Sequence, residues 1–172
     1  DIDVISVLVP SALHSQFGIQ VAEHKKHIIV EKPIDTDYKR ALALVEAAEK
    51  NGVTLAVTLQ HHYDDAVIAA KKAIDAGELG QLNLGSSHNL WWRDQVYFDS
   101  APWRGQWATN GGGTLIMQAI HYIDLLIYMM GDVDEVHAFW TTRSHNIEVE
   151  DVAVASLKFK SGALGIIEGT TA

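Results

Sequence analysis

The chain has 172 residues, 48% apolar and 20% charged, with 13 Gly, 3 Pro and no Cys, which excludes collagen-like, low-complexity and disulfide-framework classes. A formal charge of −9 repels phosphate backbones and anionic lipid, so neither nucleic acid nor a membrane is an expected partner. The longest apolar run, Leu125 to Met130, falls short of the roughly 20 residues a spanning helix needs, and the lack of Cys removes thiolate metal sites and thiol nucleophiles.

Val4 to Val9 is a continuous β-branched and Leu run, as expected of a parallel strand covered on both faces. A chain that opens inside such a strand, and stops just beyond another, reads as a fragment. Pro10 ends the strand and Ser11 is placed to cap a helix over 12–26, with Leu13, Phe17, Gln20, Val21 and His24 at helical spacing. His27 to Val30 is a second strand, closed by Glu31-Lys32-Pro33. Asp35 or Thr36 caps a helix through Lys50 with Ala41, Leu42, Val45, Ala48 and Glu49 as its stripe, and Asn51-Gly52 stops it. Val53 to Leu59 is a third strand. Strand, helix, strand, helix, strand predicts a parallel sheet with right-handed crossovers.

From His61 the pattern changes. A helix over 64–76 ends at Gly77, a strand follows over 81–92, and a Trp-, Asp- and Gly-rich loop fills 93–113. One long helix runs from Thr114 to Met130, and strands follow over 133–142, 152–159 and 163–169. Lys160-Ser161-Gly162 makes a hairpin turn between the last two. This predicts an α+β domain on a largely antiparallel sheet, with the boundary near Gln60: residues 1–60 and 61–172.

In open parallel sheets the ligand crevice lies beyond the carboxyl ends of the strands. Those ends are Pro10 to His14, Glu31-Lys32-Pro33 and Gln60-His61-His62. A Lys before a φ-locked Pro is fixed in direction and can present its ammonium to a developing alkoxide. The plainer alternative for Lys32 is a solvated side chain paired with Glu31. On the long helix, Ile116, Ala119, Ile120, Ile123, Ile127 and Met130 form a core face, and Met117, His121, Asp124 and Tyr128 a neighbouring one. His121 and Asp124 are three apart, so the carboxylate can orient the imidazole for acid–base work, or simply satisfy a buried ring. Gly111-Gly112-Gly113 admits a ligand close to the backbone, or serves as a joint. Trp91, Trp92, Trp103 and Trp107 suit stacking on a sugar or nicotinamide ring, or core packing. His61 and His62 with His121 and Asp124 offer metal-ligand chemistry, but adjacent residues in a strand face opposite ways and no ligand spacing supports it; no metal is assigned. The glycine pattern of a dinucleotide site is missing.

Several segments in order carry a resemblance: Asp3-Val4 through Pro10-Ser11 to His14, Glu31-Lys32-Pro33, Val53 through Gln60 to Tyr63, Ile74-Asp75 to Gly80, Trp103-Arg104, Gly111-Gly112-Gly113-x-Leu115, and His121-x-x-Asp124 to Gly131. In that set and spacing the sequence resembles the Gfo/Idh/MocA family of NAD(P)-dependent oxidoreductases across its whole length. The resemblance implies the C-terminal half of a Rossmann-type α/β domain, then part of an α+β substrate domain whose open sheet pairs subunits into a homo-oligomer. The glycine loop and the residue choosing NAD or NADP then lie upstream. It implies a cytoplasmic enzyme transferring hydride between nicotinamide and a sugar, polyol or cyclitol carbon. Lys32, His121 and Asp124 become catalytic. Pro10, Ser11, His14, Glu31, Lys32, Trp103 and Arg104 border the cofactor, and Lys32, Gln60, Met117, Gln118 and His121 the substrate. Two positions depart from the family pattern: Met117, where Asp or Asn is common, and His62, where Arg is common. A non-catalytic sugar or nucleotide sensor, and a hydrolase or lyase using nicotinamide transiently, are the alternatives.

Overall fold

The computed structural model describes all residues, 1–172. They form two compact units: Asp1–Thr58 with Gln106–Gly112, and Leu59–Gly105 with Gly113–Ala172. The return of 106–112 to the first unit was not legible in the sequence.

In the first unit, β1 (Val4–Val7), β2 (His27–Val30) and β3 (Leu55–Val57) make a parallel sheet in that order. The second strand matches its predicted span; the first and third are shorter, because the expected ends leave the ladder for loops. Helices α1 (His14–Glu23) and α2 (Tyr38–Asn51) supply the crossovers, as the alternation requires. Val7, Ala22, Ile28, Val30, Leu44 and Ala48 form the core.

The predicted stripes are shifted. Leu13, Phe17 and Leu42 are exposed, whereas α1 buries Ser15, Gly18 and Ala22. Small residues win because α1 packs tightly on α2: a Cβ on Gly18 would lie 2.7 Å from Leu44 Cδ1. Ser11 is not a cap; a short 3-10 turn, Ser11–Leu13, precedes α1. Asp37, not Asp35 or Thr36, caps α2 by accepting from Arg40 N at 3.0 Å. Gly52 closes α2 in the left-handed region, φ 66°, where a residue without Cβ is favoured.

In the second unit β4 (Leu84–Leu90), β5 (Val133–Thr141), β6 (Val152–Phe159) and β7 (Leu164–Thr170) form one sheet in the order β4-β7-β6-β5. The β5–β6 and β6–β7 pairs are antiparallel and β4–β7 is parallel. One face buries Ala155, Leu157, Phe159 and Ile167 against Leu115, Ile123, Leu126 and Met130. The opposite face leaves Phe139, Val154, Leu164 and Ile166 exposed. Helix α3 (Asp65–Asp75) follows a 3-10 turn at Gln60–Tyr63. The expected loop over 93–113 contains two short helices, α4 (Gln95–Asp99) and α5 (Trp107–Asn110).

The long helix is Leu115–Ala119, wound as a π turn, followed by α6 (Ile120–Met130). A π turn advances the register by one residue, which displaces the predicted core face: Leu115, Ala119, Ile123, Leu126 and Met130 pack inward while Ile127 is 40% exposed. By length and composition alone, Trp107–Met130 is apolar enough to cross a membrane, correcting the expectation drawn from Leu125 to Met130. Gly111–Gly113 and the polar His121 and Asp124 interrupt this stretch, and 28% of its apolar window is buried.

Candidate active site

In the first unit the carboxyl ends of the parallel strands carry the sequence-predicted residues. Pro10, Ser11 and His14 follow β1, and Glu31 and Lys32 follow β2. His14 is 1% exposed. One ring nitrogen faces the Pro33 carbonyl at 2.7 Å and the other the Val9 carbonyl at 2.9 Å. Its ring therefore joins the two loops. The Lys32–Pro33 bond is cis. Partial burial lowers the pKa of the Lys32 ammonium, and the Glu31 carboxylate opposes that shift. Asp35, buried at 5% exposure, organises the following loop: it accepts from Ser15 N, Thr36 N and Asp37 N at 2.7–3.1 Å and pairs with Arg40. Gly111 sits at φ 70°, and a Cβ there would come within 2.6 Å of the Thr36 carbonyl oxygen, so packing alone already requires a glycine.

The second unit holds Gln60, Trp103, Arg104, Met117, Gln118, His121 and Asp124. Because Gln60–Tyr63 is a 3-10 turn, His61 and His62 do not alternate as strand residues would. The His61 ring meets His121 edge-on, centroids 5.3 Å apart, and its Nδ1 bonds Asp64 at 2.8 Å. The Asp124 carboxylate bonds His62, whose ring packs on Tyr128. Asp124 thus holds His62, and the His61 ring lies beside His121. Sequence spacing missed this because both partners come from a turn about sixty residues away.

The start of the long helix is held by an acid. Glu150, 5% exposed, accepts from Gly113 N at 2.7 Å and Leu115 N at 3.1 Å, satisfying amides that a helix start leaves orphaned. A Cβ on Gly113 would lie 1.8 Å from the Glu150 carbonyl oxygen. Gln118, one turn before His121, is 8% exposed and donates to Tyr97 Oη at 3.3 Å. Around Tyr97 lies a stack the sequence reading missed. The Arg93 guanidinium sits over Trp91 and Tyr97, and that of Arg104 over Tyr97 and Trp103. Thus Trp91 and Trp103 stack on arginines. The signal available was the interleaving of aromatic and basic residues between 91 and 104.

Residues 1–59 match a family model described as the oxidoreductase family with an NAD-binding Rossmann fold, and residues 67–172 match the GFO/IDH/MocA C-terminal domain. The chain belongs to the GFO/IDH/MocA family. It is 36% identical to the WlbA dehydrogenase of Bordetella pertussis, solved in complex with NADH and UDP-GlcNAcA, with a TM-score of 0.95 over 99% of this chain and 49% of that one. It is 27% identical to levoglucosan dehydrogenase of Pseudarthrobacter phenanthrenivorans, over 99% of this chain and 50% of the relative. It is also 27% identical to scyllo-inositol 2-dehydrogenase (NAD(+)) of Bacillus subtilis, over 98% and 48%. The chain thus spans about half the length of these relatives.

Proposed function

We propose that the whole protein is an NAD(P)-dependent oxidoreductase acting on a hydroxyl-bearing carbon of a sugar, polyol or cyclitol, in the cytoplasm. The observation that carries this reading is Lys32: a partly buried ammonium of lowered pKa at the carboxyl end of a parallel strand, in a family whose first domain binds NAD. The Ser11 hydroxyl, Glu31 carboxylate and Lys32 ammonium fit a ribose and a carboxamide, which need both donors and acceptors.

When bound, the nicotinamide supplies the hydride acceptor or donor. Lys32 hydrogen-bonds the substrate oxygen and stabilises the negative charge that grows as its proton departs. His121 takes that proton during oxidation and returns it during reduction. Pro10, Ser11, His14, Glu31, Trp103 and Arg104 flank the cofactor, and the His14 ring also holds the loops that follow β1 and β2 together. Gln60, Met117 and Gln118 contact the substrate, and Asp124 acts by fixing His62. The exposed face bearing Phe139, Val154, Leu164 and Ile166 pairs with a second copy, which would remove this apolar surface from water.

The test is energy transfer from Trp to NADH and NADPH in the full-length protein, followed by turnover of Lys32→Ala. Saturable transfer with one cofactor, and a loss of turnover far exceeding any loss of cofactor affinity, is the expected result. Absence of transfer with both cofactors rejects the oxidoreductase reading in favour of a sensor.

A further inference from the structure

The uncovered face of the second unit's sheet carries a titratable pair among apolar side chains. The register sets His88, Glu168, Val154 and Phe139 side by side across all four strands. Around them Leu84, Leu164 and Ile166 are exposed, as are Val154 and Phe139, the last at 81%. Within this surface His88 Nδ1 and Glu168 Oε2 are hydrogen-bonded at 2.9 Å, with side chains 50% and 43% exposed. The reaction proposed above uses neither residue.

Charge favours a second copy as the occupant. The chain carries 22 acidic and 13 basic residues, so two copies repel unless they meet through a nearly neutral surface. The charged groups of this face are Glu168, Glu135, Asp134 and Lys158, which sum to 1 − 3 = −2, with two histidines, His88 and His137. A proton on each histidine brings that sum to zero. Glu135 and Lys158 stay charged near neutrality, because the 2.6 Å hydrogen bond between them lowers the carboxyl pKa and raises that of the ammonium. At the rim Lys160 pairs with Asp132. Histidine is the side chain that exchanges its proton between pH 5 and 8. While the face is open, water screens the His88–Glu168 pair and it contributes little. Under a second copy the pair leaves water. With His88 protonated it does so without net charge. With His88 neutral, each copy desolvates a carboxylate whose charge is not balanced, and two-fold symmetry brings like patches together.

We propose that His88 and Glu168 form a proton-dependent latch on this face, which tightens the pairing of two copies when His88 is protonated and loosens it as pH rises. This rests on the reading given above that the face pairs with a second copy. Because the protonated pair is the neutral one, association takes up protons and is favoured at the acid end of the histidine range.

The experiment is sedimentation velocity of the dye-labelled full-length protein, diluted into the nanomolar range at pH 6.0 and at pH 8.5. A dimer Kd at least tenfold higher at pH 8.5 is expected. Glu168→Gln removes the carboxylate, so the neutral histidine becomes the favoured form and the pH dependence should reverse. His88→Gln leaves the carboxylate alone and should hold the Kd near its weaker value at both pH values. His137→Gln should keep most of the wild-type dependence. Equal Kd values at the two pH values, a dimer that dissociates at neither, or an unreversed dependence in Glu168→Gln overturns the latch. A dependence lost in His137→Gln and kept in His88→Gln overturns its assignment to His88. Phe139→Glu separates the latch from the pairing, since it should leave a monomer at both pH values. If it does and the wild type shows no pH dependence, the latch falls and the pairing face stands. A dimeric Phe139→Glu, or a wild type that is monomeric throughout, removes both.

Discussion

The two units solve one problem differently. Each must fix an irregular segment, and each does so with buried carboxylates that accept backbone N–H groups. The first unit uses Asp35, whose Arg40 partner is half in solvent, with a side chain 50% exposed. The second uses Glu150 and Asp151, and Asp151 is fully buried with its His145 partner only 4% exposed. Asp151 accepts from Arg143 N, Ser144 N and His145 N at 2.8–3.0 Å as well as from the His145 ring. Burial alone would raise the pKa of both aspartates, but their hydrogen bonds outweigh it and hold both below the ordinary value. The difference lies in the partner: Arg40 can turn to water if its carboxylate is lost, whereas the buried His145 ring cannot.

This contrast can be broken by substitution. Asp151→Ala strands three amides and a buried imidazole, so a loss of about 3–5 kcal/mol is expected in urea unfolding. Asp35→Ala should cost about 2 kcal/mol, since the guanidinium it releases can turn to water. Equal losses would erase the contrast. Next comes Gly113→Ala: its Cβ would meet backbone, which cannot swing aside as a side chain can, so about 3 kcal/mol should be lost. An unchanged melting temperature would show that the helix start has more room than the structure gives it.

The alkaline limb of turnover in the full-length protein tests Lys32. In the proposed mechanism its ammonium is the useful form, and its pKa is lowered, so activity should fall as pH rises through a value below 10.5. Glu31→Gln removes the charge that favours the ammonium, and the limb should move lower still; a shift upward would contradict the assignment. The smallest effect belongs to His62→Ala. The His62–Asp124 pair has side chains 28% and 27% exposed, where water screens the attraction, so below about 1 kcal/mol is expected from thermal unfolding. A much larger loss would mean that the pair holds the turn to α6.

Much of the molecule was legible without coordinates. The β2 span, the stop at Gly52, the three final strands and the long helix follow from periodicity and turn residues, which are local. The place of Lys32 just past β2 was legible because proline closes the strand. The buried face of α1 was not, since glycine and alanine carry little hydropathy signal yet permit the closest approach. The core face of the long helix was misplaced by one π turn, which no residue pattern announced. Neither the partnership of Asp124 with His62 nor the Arg93–Tyr97–Arg104 stack has a sequence spacing of its own.

By itself, then, the sequence determined the order of elements, the fold class and the family. Tertiary structure alone decided which carboxylate serves which ring and why Gly111 and Gly113 must be glycine. The physical reason is range. Periodicity and capping act over a few residues of chain, whereas hydrogen bonds, desolvation and steric exclusion act across space between residues that the chain keeps far apart.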